Sequence, residues 1–346
     1  MPARRRIAEE IAAAGGWISF ARYMHLALHE PGVGYYASGA RKFGRGGDFV
    51  TAPELGDLFG RTLANALRGF DRILELGAGS GALAEVLTRE LGCEYLILET
   101  SAELRLRQQE KLGNRISHVA RLPSGFRGAI IANEVADALP VHVVHWTAEG
   151  IMERGVSSPL AWADRAATGV LLETAKQIDA PAPYISEINL AARAWVRSLA
   201  EALEQGVIYV IDYGFPRHEY YHPQRATGTL MCHYQHKAHA DPFARPGEED
   251  ITAHVDFSAL AEAAHEAGAE VLGYTNQAQF LVNCGITDVL TQANVENALH
   301  YAPIAAQAQK LLSPAEMGEL FKVLAVGTRL TAPLLGFTRG DRSHTL

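Results

Sequence analysis

The residues of this chain best suited to chemistry lie in the run 73–81, Ile-Leu-Glu-Leu-Gly-Ala-Gly-Ser-Gly. An apolar stretch ends near an acid, Glu75, and opens into a turn with a glycine at every second position. Those glycines are Gly77, Gly79 and Gly81. A helical pattern follows over 82–91. A strand, a glycine turn and a helix in this order bring backbone close to a nucleotide-like ligand.

The spacing of the glycines separates two classes of ligand. A dinucleotide site has the pattern G-x-G-x-x-G and rests a pyrophosphate on the helix N-terminus. Here the pattern is G-x-G-x-G, and no Lys-Ser/Thr pair follows to hold a triphosphate. The carboxylate of Glu75 repels phosphate but tolerates a cation. S-adenosylmethionine carries a sulfonium, an ammonium and no phosphate. The turn therefore predicts a methyl-donor site, with an NAD site as the alternative.

A second acid, Glu99, ends the apolar run 96–98, about 20 residues past the glycine turn. The ribose hydroxyls of an adenosine ligand lie near such a position at the carboxyl edge of a parallel sheet. The alternative is a solvated strand end or part of a helix N-cap. Beside the glycine turn, Glu99 favours ribose binding.

A third polar cluster follows the apolar run 129–132, with Asn133, Glu134 and Asp137 at the expected strand end. If a helical turn starts here, the spacing places Glu134 and Asp137 on one face. The alternative is an acid pair that answers the dipole of a helix N-terminus. We expect Asn133 to help bind the donor and the two acids to contact the acceptor.

Irregular segments add further polar residues. The glycine-rich loop 35–54 is long for a connector, and such loops often carry function. It contributes Asp48 and Glu54 as additional catalytic carboxylates. A histidine-rich segment lacks the paired spacing of a zinc site, so we predict no metal centre. Its histidines are His218, His222, His233, His236 and His239.

Composition limits the possible partners. The formal net charge of −8 over 346 residues disfavours nucleic acid as a bulk electrostatic partner. No apolar run is long enough to span a bilayer. Three widely spaced cysteines indicate neither a disulfide framework nor a zinc ribbon. Glu9 and Glu10 argue against a transit peptide, so we expect a cytoplasmic protein. The oligomeric state is not indicated.

Strand and helix patterns alternate along the middle of the chain, which predicts an α/β fold with a parallel sheet covered on both faces. The predicted strands are 72–76, 94–98, 129–132, 207–211 and 270–274. The predicted helices are 55–67, 82–91, 102–111, 190–204 and 257–267. Residues 5–30 also have helical spacing, and 141–175 has the pattern of antiparallel strands.

The expected organisation has three consecutive parts. Residues 1–70 form a helical extension with the glycine-rich loop. Residues 71–274 form the core, with an irregular insertion around 215–255. Residues 275–346 form a mostly helical cap, and the chain returns to the sheet near 322–327.

Several motifs together resemble the MidA-like methyltransferase family. They are the opening Ile18-Ser19-Phe20 with Pro31–Tyr36, the signature loop Gly47–Glu54, the donor turn Glu75–Gly81, and Asn133–Pro140. The segment Asp250–Phe257 is also similar. The glycine turn is common among methyltransferases, whereas the signature loop followed by Asn-Glu-x-x-Asp is far more specific. The resemblance covers roughly residues 17–285.

The resemblance implies a Rossmann-like class I methyltransferase core and S-adenosylmethionine as donor. It also implies a protein arginine as acceptor, since the family includes a mitochondrial complex I assembly factor that methylates a complex I subunit. The expected function is therefore protein arginine methylation, with a complex I subunit or its homologue as a possible partner. The alternatives are a small-molecule methyltransferase and a non-catalytic assembly factor that retains the donor site.

Overall fold

Strand β1, Arg72–Leu76, lies in the middle of the main sheet and is buried except at its first residue. A strand buried on both faces in this way is typical of a parallel sheet that is covered on both sides. The structure is a computed structural model that describes residues 2–37, 51–292, 298–330 and 332–346. The other strands are β2 Glu94–Leu98, β3 Ser117–His118, β4 Phe126–Asn133, β5 Leu203–Phe215, β6 Glu270–Asn276 and β7 Phe321–Thr328.

The sheet runs in the order β6-β7-β5-β4-β1-β2-β3. Strands β1 to β5 pair in parallel, whereas β7 is antiparallel to both β5 and β6. From β1 the chain moves outward to β2 and β3, then returns to the other side of β1 as β4. This reversal makes the carboxyl ends of β1 and β4 a topological switch point, where open α/β sheets bind ligands. The predicted α/β class and Rossmann-like core are confirmed.

Helices pack on this sheet, and their apolar faces join the strands in one buried cluster that includes Leu63, Ile73, Ile131, Tyr209 and Val323. The helices are α1 Asp57–Leu67, α2 Ala82–Glu90, α3 Ala102–Leu112, α4 Leu190–Ala202, α5 Phe257–Glu266, α6 Gln277–Asn283, α7 Ile286–Thr291, α8 Ala298–Leu312 and α9 Met317–Leu320. Short 3-10 turns lie at Ala52–Leu55, Gly113–Arg115, Leu335–Phe337 and Ser343–Thr345.

The chain forms two compact units. The core unit comprises Val50–Val135, Val196–Gly214 and Phe257–Leu346, and contains the sheet just described. The accessory unit comprises Met1–Phe49, Ala136–Trp195 and Phe215–Asp256. This division differs from the three consecutive parts expected from the sequence. Helix α1 belongs to the same buried cluster as the main sheet, and the segment after Val135 forms a sheet of its own.

The accessory unit is built on antiparallel strands. Its five-stranded sheet has Trp17–Ser19, Gly150–Ser157, His142–Thr147 and Tyr184–Ile188 in that order, and Ala161–Ala166 pairs with Gly150–Ser157. A three-stranded sheet contains Lys237–His239, Met231–Tyr234 and Asp250–Thr252. The remaining elements are the short strand Val255–Asp256, the helices Pro2–Ala13, Phe20–His29, Gly169–Lys176 and Arg217–Tyr220, and 3-10 turns at Tyr35–Ala37 and Pro223–Arg225.

This arrangement confirms one further sequence prediction and refines another. The antiparallel strands predicted within 141–175 are confirmed. The helical pattern over 5–30 divides into two helices, because Gly15 and Gly16 adopt positive φ values of 74° and 91° and end the first one. Among the described residues, every helix is too short or too polar to cross a lipid bilayer.

Candidate active site

The glycine turn after β1 is held in a backbone conformation that favours glycine. Gly77, Gly79 and Gly81 have φ values of 62°, 54° and 74°. A Cβ atom at Gly77 would lie 3.2 Å from Val135 Cγ2, and one at Gly81 would lie 3.2 Å from Leu112 Cδ1. Gly81 also caps the N-terminus of α2. The absence of side chains therefore permits the turn, and Gly77, unlike the buried Gly79 and Gly81, is exposed.

Glu75 lies on β1 beneath this turn and is only 3% exposed. Its Oε2 accepts a hydrogen bond of 2.7 Å from the hydroxyl of Tyr95 on β2. Burial raises the pKa of Glu75 to about 7, against the lowering effect of the Tyr95 hydrogen bond, and the charge of Glu99 raises it further. A cationic ligand next to this buried carboxyl would stabilise its ionised form, because an opposite charge favours ionisation.

The raised pKa of Glu75 predicts a specific dependence of stability on pH. The folded protein holds this proton more tightly than the unfolded chain, whose carboxyl has a pKa near 4.5. Unfolding free energy should therefore fall as pH rises from about 4.5 to about 7, then level off, by about 3 kcal/mol from this group. Denaturant unfolding of the ligand-free protein between pH 5 and 8 should show this loss relative to Glu75→Gln.

Glu110→Gln is the matched control for that experiment, because Glu110 is exposed on α3. This control should follow the wild-type profile across the whole range. A constant difference between wild type and Glu75→Gln from pH 5 to 8 would contradict the buried, proton-binding carboxyl.

Glu99 directly follows β2, as the sequence predicted, and is 8% exposed. Its Oε1 accepts the N–H of Ser101 at 3.0 Å, and its Oε2 accepts from Gln108 Nε2 at 3.3 Å. Burial raises the pKa of Glu99, and these hydrogen bonds partly offset the rise. Gln108 Nε2 also donates to the carbonyl oxygen of Gly79 at 2.8 Å. Glu99 and the glycine turn are thereby tied to one side chain.

Asn133 and Glu134 stand at the end of β4, next to the end of β1. The Glu134 N–H donates to the Ile211 carbonyl at 2.9 Å, which extends the pairing with β5. Its Oε1 accepts from Asn133 Nδ2 at 3.1 Å and from the Ala52 N–H at 3.3 Å. Asn133 Oδ1 is buried and has no hydrogen-bond partner within the described ranges. It is thus an acceptor poised for a ligand donor.

The backbone at Glu134 is in the left-handed region, with φ 53°. Residues 134–137 form a bend and a turn, so this segment lacks the helical turn that would place Glu134 and Asp137 on one face. Non-glycine residues in this region carry strain that often marks functional sites.

Glu54 lies on the short 3-10 turn Ala52–Leu55. Its Oε1 accepts a hydrogen bond from the hydroxyl of Ser80, inside the glycine turn. The same short turn therefore binds Glu134 through the Ala52 N–H and the glycine turn through Glu54. The structure brings these two predicted acids together with the predicted donor turn.

The two other predicted acids are placed differently. Asp48 lies outside the described residues. Asp137 belongs to the accessory unit and is 7% exposed; its carbonyl oxygen accepts the Ala253 N–H at 3.0 Å. In the same unit, Tyr36 donates to Asp250 Oδ1 at 2.8 Å. Burial, followed by the charges of Asp250 and Asp137, raises the pKa of Tyr36 well above its ordinary value.

The histidine-rich segment makes local contacts. His239 Nε2 lies 3.0 Å from Glu249 Oε2, and His222 Nδ1 accepts the Gln224 N–H at 3.2 Å. Throughout the part of the chain that the structure describes, no group of three or more His, Cys, Asp or Glu side chains could hold a metal ion.

Sequence reasoning missed two residues of this site, Ser80 and Gln108. Ser80 lies within the quoted motif, but nothing in the sequence indicates that its hydroxyl contacts Glu54. Gln108 lies in the polar sequence of α3, Ala102–Leu112, where only its spacing from Leu104 and Leu112 signals burial.

The site combines a mostly parallel sheet, an acid-led glycine turn at its switch point, an acid after the next strand and polar groups at the end of β4. Together these features define an S-adenosylmethionine-dependent methyltransferase. The chain belongs to a family of S-adenosyl-L-methionine-dependent methyltransferases, whose model matches residues 58–275. S-adenosylmethionine is accordingly its cofactor. The residues fit this group, since the turn exposes backbone at Gly77 and Asn133 Oδ1, which has no partner among the described residues, offers an acceptor.

Solved and curated relatives agree. The crystal structure of a protein from Burkholderia thailandensis bound to S-adenosyl-homocysteine is 49% identical, covers 100% of this chain and 96% of that chain, and has a TM-score of 0.96. The protein arginine methyltransferase NDUFAF7 of Danio rerio is 29% identical over 93% of this chain and 86% of its own length. Its Homo sapiens counterpart is 28% identical, with 94% and 83% covered.

Proposed function

We propose that this methyltransferase acts on an arginine side chain of a protein. The observation that carries the proposal is a pair of carboxylates beside the glycine turn: Glu54 lies on the short turn Ala52–Leu55 and accepts from Ser80, and Glu134 accepts from the Ala52 N–H of the same short turn. Relatives across almost the whole chain are named protein arginine methyltransferases, which supports the same acceptor.

The chemistry of arginine explains why paired acids suit this reaction. A guanidinium group stays protonated in proteins and is a poor nucleophile. Carboxylates can bind its planar fork through two parallel hydrogen bonds and hold one nitrogen in line for attack. S-adenosylmethionine supplies an electrophilic methyl group. Glu134 then orients the acceptor nitrogen and accepts its proton as transfer completes, while Glu54 stabilises the charge on the remaining nitrogens. Asp137 and Asp48 stay predicted as further acceptor contacts.

The donor is assigned to the end of β1 and its neighbours. Glu75 provides negative charge for the cationic end of the donor, and Glu99 accepts from the ribose hydroxyls. The glycines Gly77, Gly79 and Gly81 allow close approach of the backbone. Asn133 Oδ1, buried without a partner in the described part of the chain, accepts a donor N–H.

Transfer of labelled methyl groups tests the proposed acceptor. Purified protein and methyl-labelled S-adenosylmethionine are incubated with a cell lysate, and labelled material is separated by size. Label should appear in a protein band, and mass spectrometry should locate methylarginine in it. Label confined to small molecules would contradict a protein acceptor. If the wild-type protein transferred no more label than the Glu134→Gln variant, the assigned catalysis would be contradicted and a non-catalytic assembly role favoured.

The particular protein partner follows from family resemblance alone. We propose a respiratory complex I subunit, or its homologue, as the first acceptor to test with purified material. We also propose a cytoplasmic location, which the free thiols of Cys93, Cys232 and Cys284 support. Subcellular fractionation measures this directly, and recovery from an oxidising compartment would contradict it.

A further inference from the structure

Gln108 is a buried polar residue in the apolar stripe of α3. It is 0% exposed and lies between Leu104 and Leu112, the two other buried residues of this helix. A buried amide is costly unless each of its polar atoms is hydrogen-bonded. At this position an aliphatic residue would continue the stripe, so the amide has contacts that an aliphatic side chain could not make.

Those contacts connect three parts of the core unit. Gln108 Nε2 donates to Gly79 O at 2.8 Å and to Glu99 Oε2 at 3.3 Å. Gln108 Oε1 lies 2.8 Å from His118 Nε2. The glutamine therefore spans from β3 to the glycine turn and to the acid at the end of β2.

The orientation of this amide is fixed by its partners. A backbone carbonyl and an ionised carboxylate can only accept hydrogen bonds, so the NH₂ group must face Gly79 and Glu99. The amide oxygen then faces His118, whose Nε2 must carry the proton. Rotating the amide would place its oxygen against two acceptors and break the hydrogen bonds to Gly79 and Glu99.

We propose that Gln108 is a positioning residue for the methyl donor, holding the Glu99 carboxylate and the Gly79 carbonyl in the one arrangement that accepts the donor ribose. The inference rests on the proposed contact between Glu99 and the ribose hydroxyls. Side chains that orient a ligand-binding group from behind raise affinity by pre-organising it. Replacing Gln108 should therefore lower the affinity only for ligands that carry those hydroxyls. His118 should contribute to the same affinity by holding the amide oxygen of Gln108.

Calorimetric titration with two probes tests this role. The probes are S-adenosyl-homocysteine and its 2′,3′-dideoxyribose analogue. Gln108→Met, which keeps the length of the side chain, should weaken S-adenosyl-homocysteine binding about tenfold, as expected for a hydrogen bond to a charged group. It should change the affinity for the analogue by less than about twofold.

Gln109→Met is the matched control, because Gln109 is exposed on the same helix and its side chain donates to Gly113 O at 3.1 Å, away from Gly79 and Glu99. It should bind both probes as wild type does. His118→Leu serves as a second variant, since His118 is only half-buried. It should weaken the binding of S-adenosyl-homocysteine by about threefold and leave the binding of the analogue unchanged.

Two results with these variants would overturn the inference. Wild-type affinity in both Gln108→Met and His118→Leu would show that neither residue positions Glu99. An equal loss for both probes would show a purely structural role. A further variant, Glu99→Gln, distinguishes these two results from an error in placing the ribose at Glu99. If Glu99→Gln keeps the wild-type preference for the ribose hydroxyls, Glu99 does not bind the ribose, and the proposed role of Gln108 is then wrong as well.

Discussion

Replacement of Glu134 by glutamine is expected to lower methyl transfer by about a thousandfold while leaving the affinity for S-adenosyl-homocysteine within a few-fold of wild type. Glutamine keeps the size of the side chain and an oxygen for the Ala52 N–H, which lies 3.3 Å from Glu134 Oε1. It loses the negative charge that binds guanidinium and the capacity to accept a proton. The loss should therefore appear in turnover, measured with labelled donor, and not in calorimetric titration of donor binding.

The control for Glu134→Gln is again Glu110→Gln, an exposed change on α3 that should leave both measurements unaltered. Loss of donor binding together with turnover would reassign Glu134 to the cofactor. Full turnover in Glu134→Gln would remove it from the catalytic machinery.

Replacement of Gly79 by valine is expected to weaken donor binding by about a hundredfold or more. Gly79 has φ 54°, where a β-branched residue is strained by about 1–3 kcal/mol. The added side chain would also stand at the turn that we assign to the donor. The carbonyl oxygen of residue 79, which accepts from Gln108 Nε2 at 2.8 Å, would also shift if the turn relaxed. Titration with S-adenosyl-homocysteine measures the effect.

Backbone strain alone is controlled by Gly113→Val. Gly113 follows α3 with φ 56°, and nothing lies within 4 Å of a Cβ built there. This variant should lose stability in thermal melting but bind S-adenosyl-homocysteine normally. Unchanged affinity in Gly79→Val would contradict the placement of the donor at this turn.

The central sheet could be predicted closely from the sequence because its strands are buried on both faces. Arg72–Leu76 and Glu94–Leu98 have the predicted bounds, since short, mostly apolar runs bounded by turn residues leave little choice of length. The same logic placed Glu75, Glu99 and Asn133 at strand ends. In a parallel sheet, these ends lie along one edge.

Other features depend on contacts that no local pattern carries. Residues 134–137 have the composition of a helix N-terminus, yet the chain at Glu134 continues the β5 pairing through its N–H and then adopts φ 53°. Gln108 lies in a sequence of charged and amide residues typical of an exposed helix. Its burial follows from the packing of α3, which only the assembled sheet defines. Likewise, the contact of Glu54 with Ser80 joins residues 26 positions apart.

The central claim is that the acid-led glycine turn holds the methyl donor beside Glu134. A crystal structure of this protein with S-adenosyl-homocysteine tests it most directly. The account predicts the ligand against Gly77–Gly81, with its ribose hydroxyls on Glu99 and its sulfur facing Glu134. A ligand bound elsewhere, or a ribose directed away from Glu99, would contradict it.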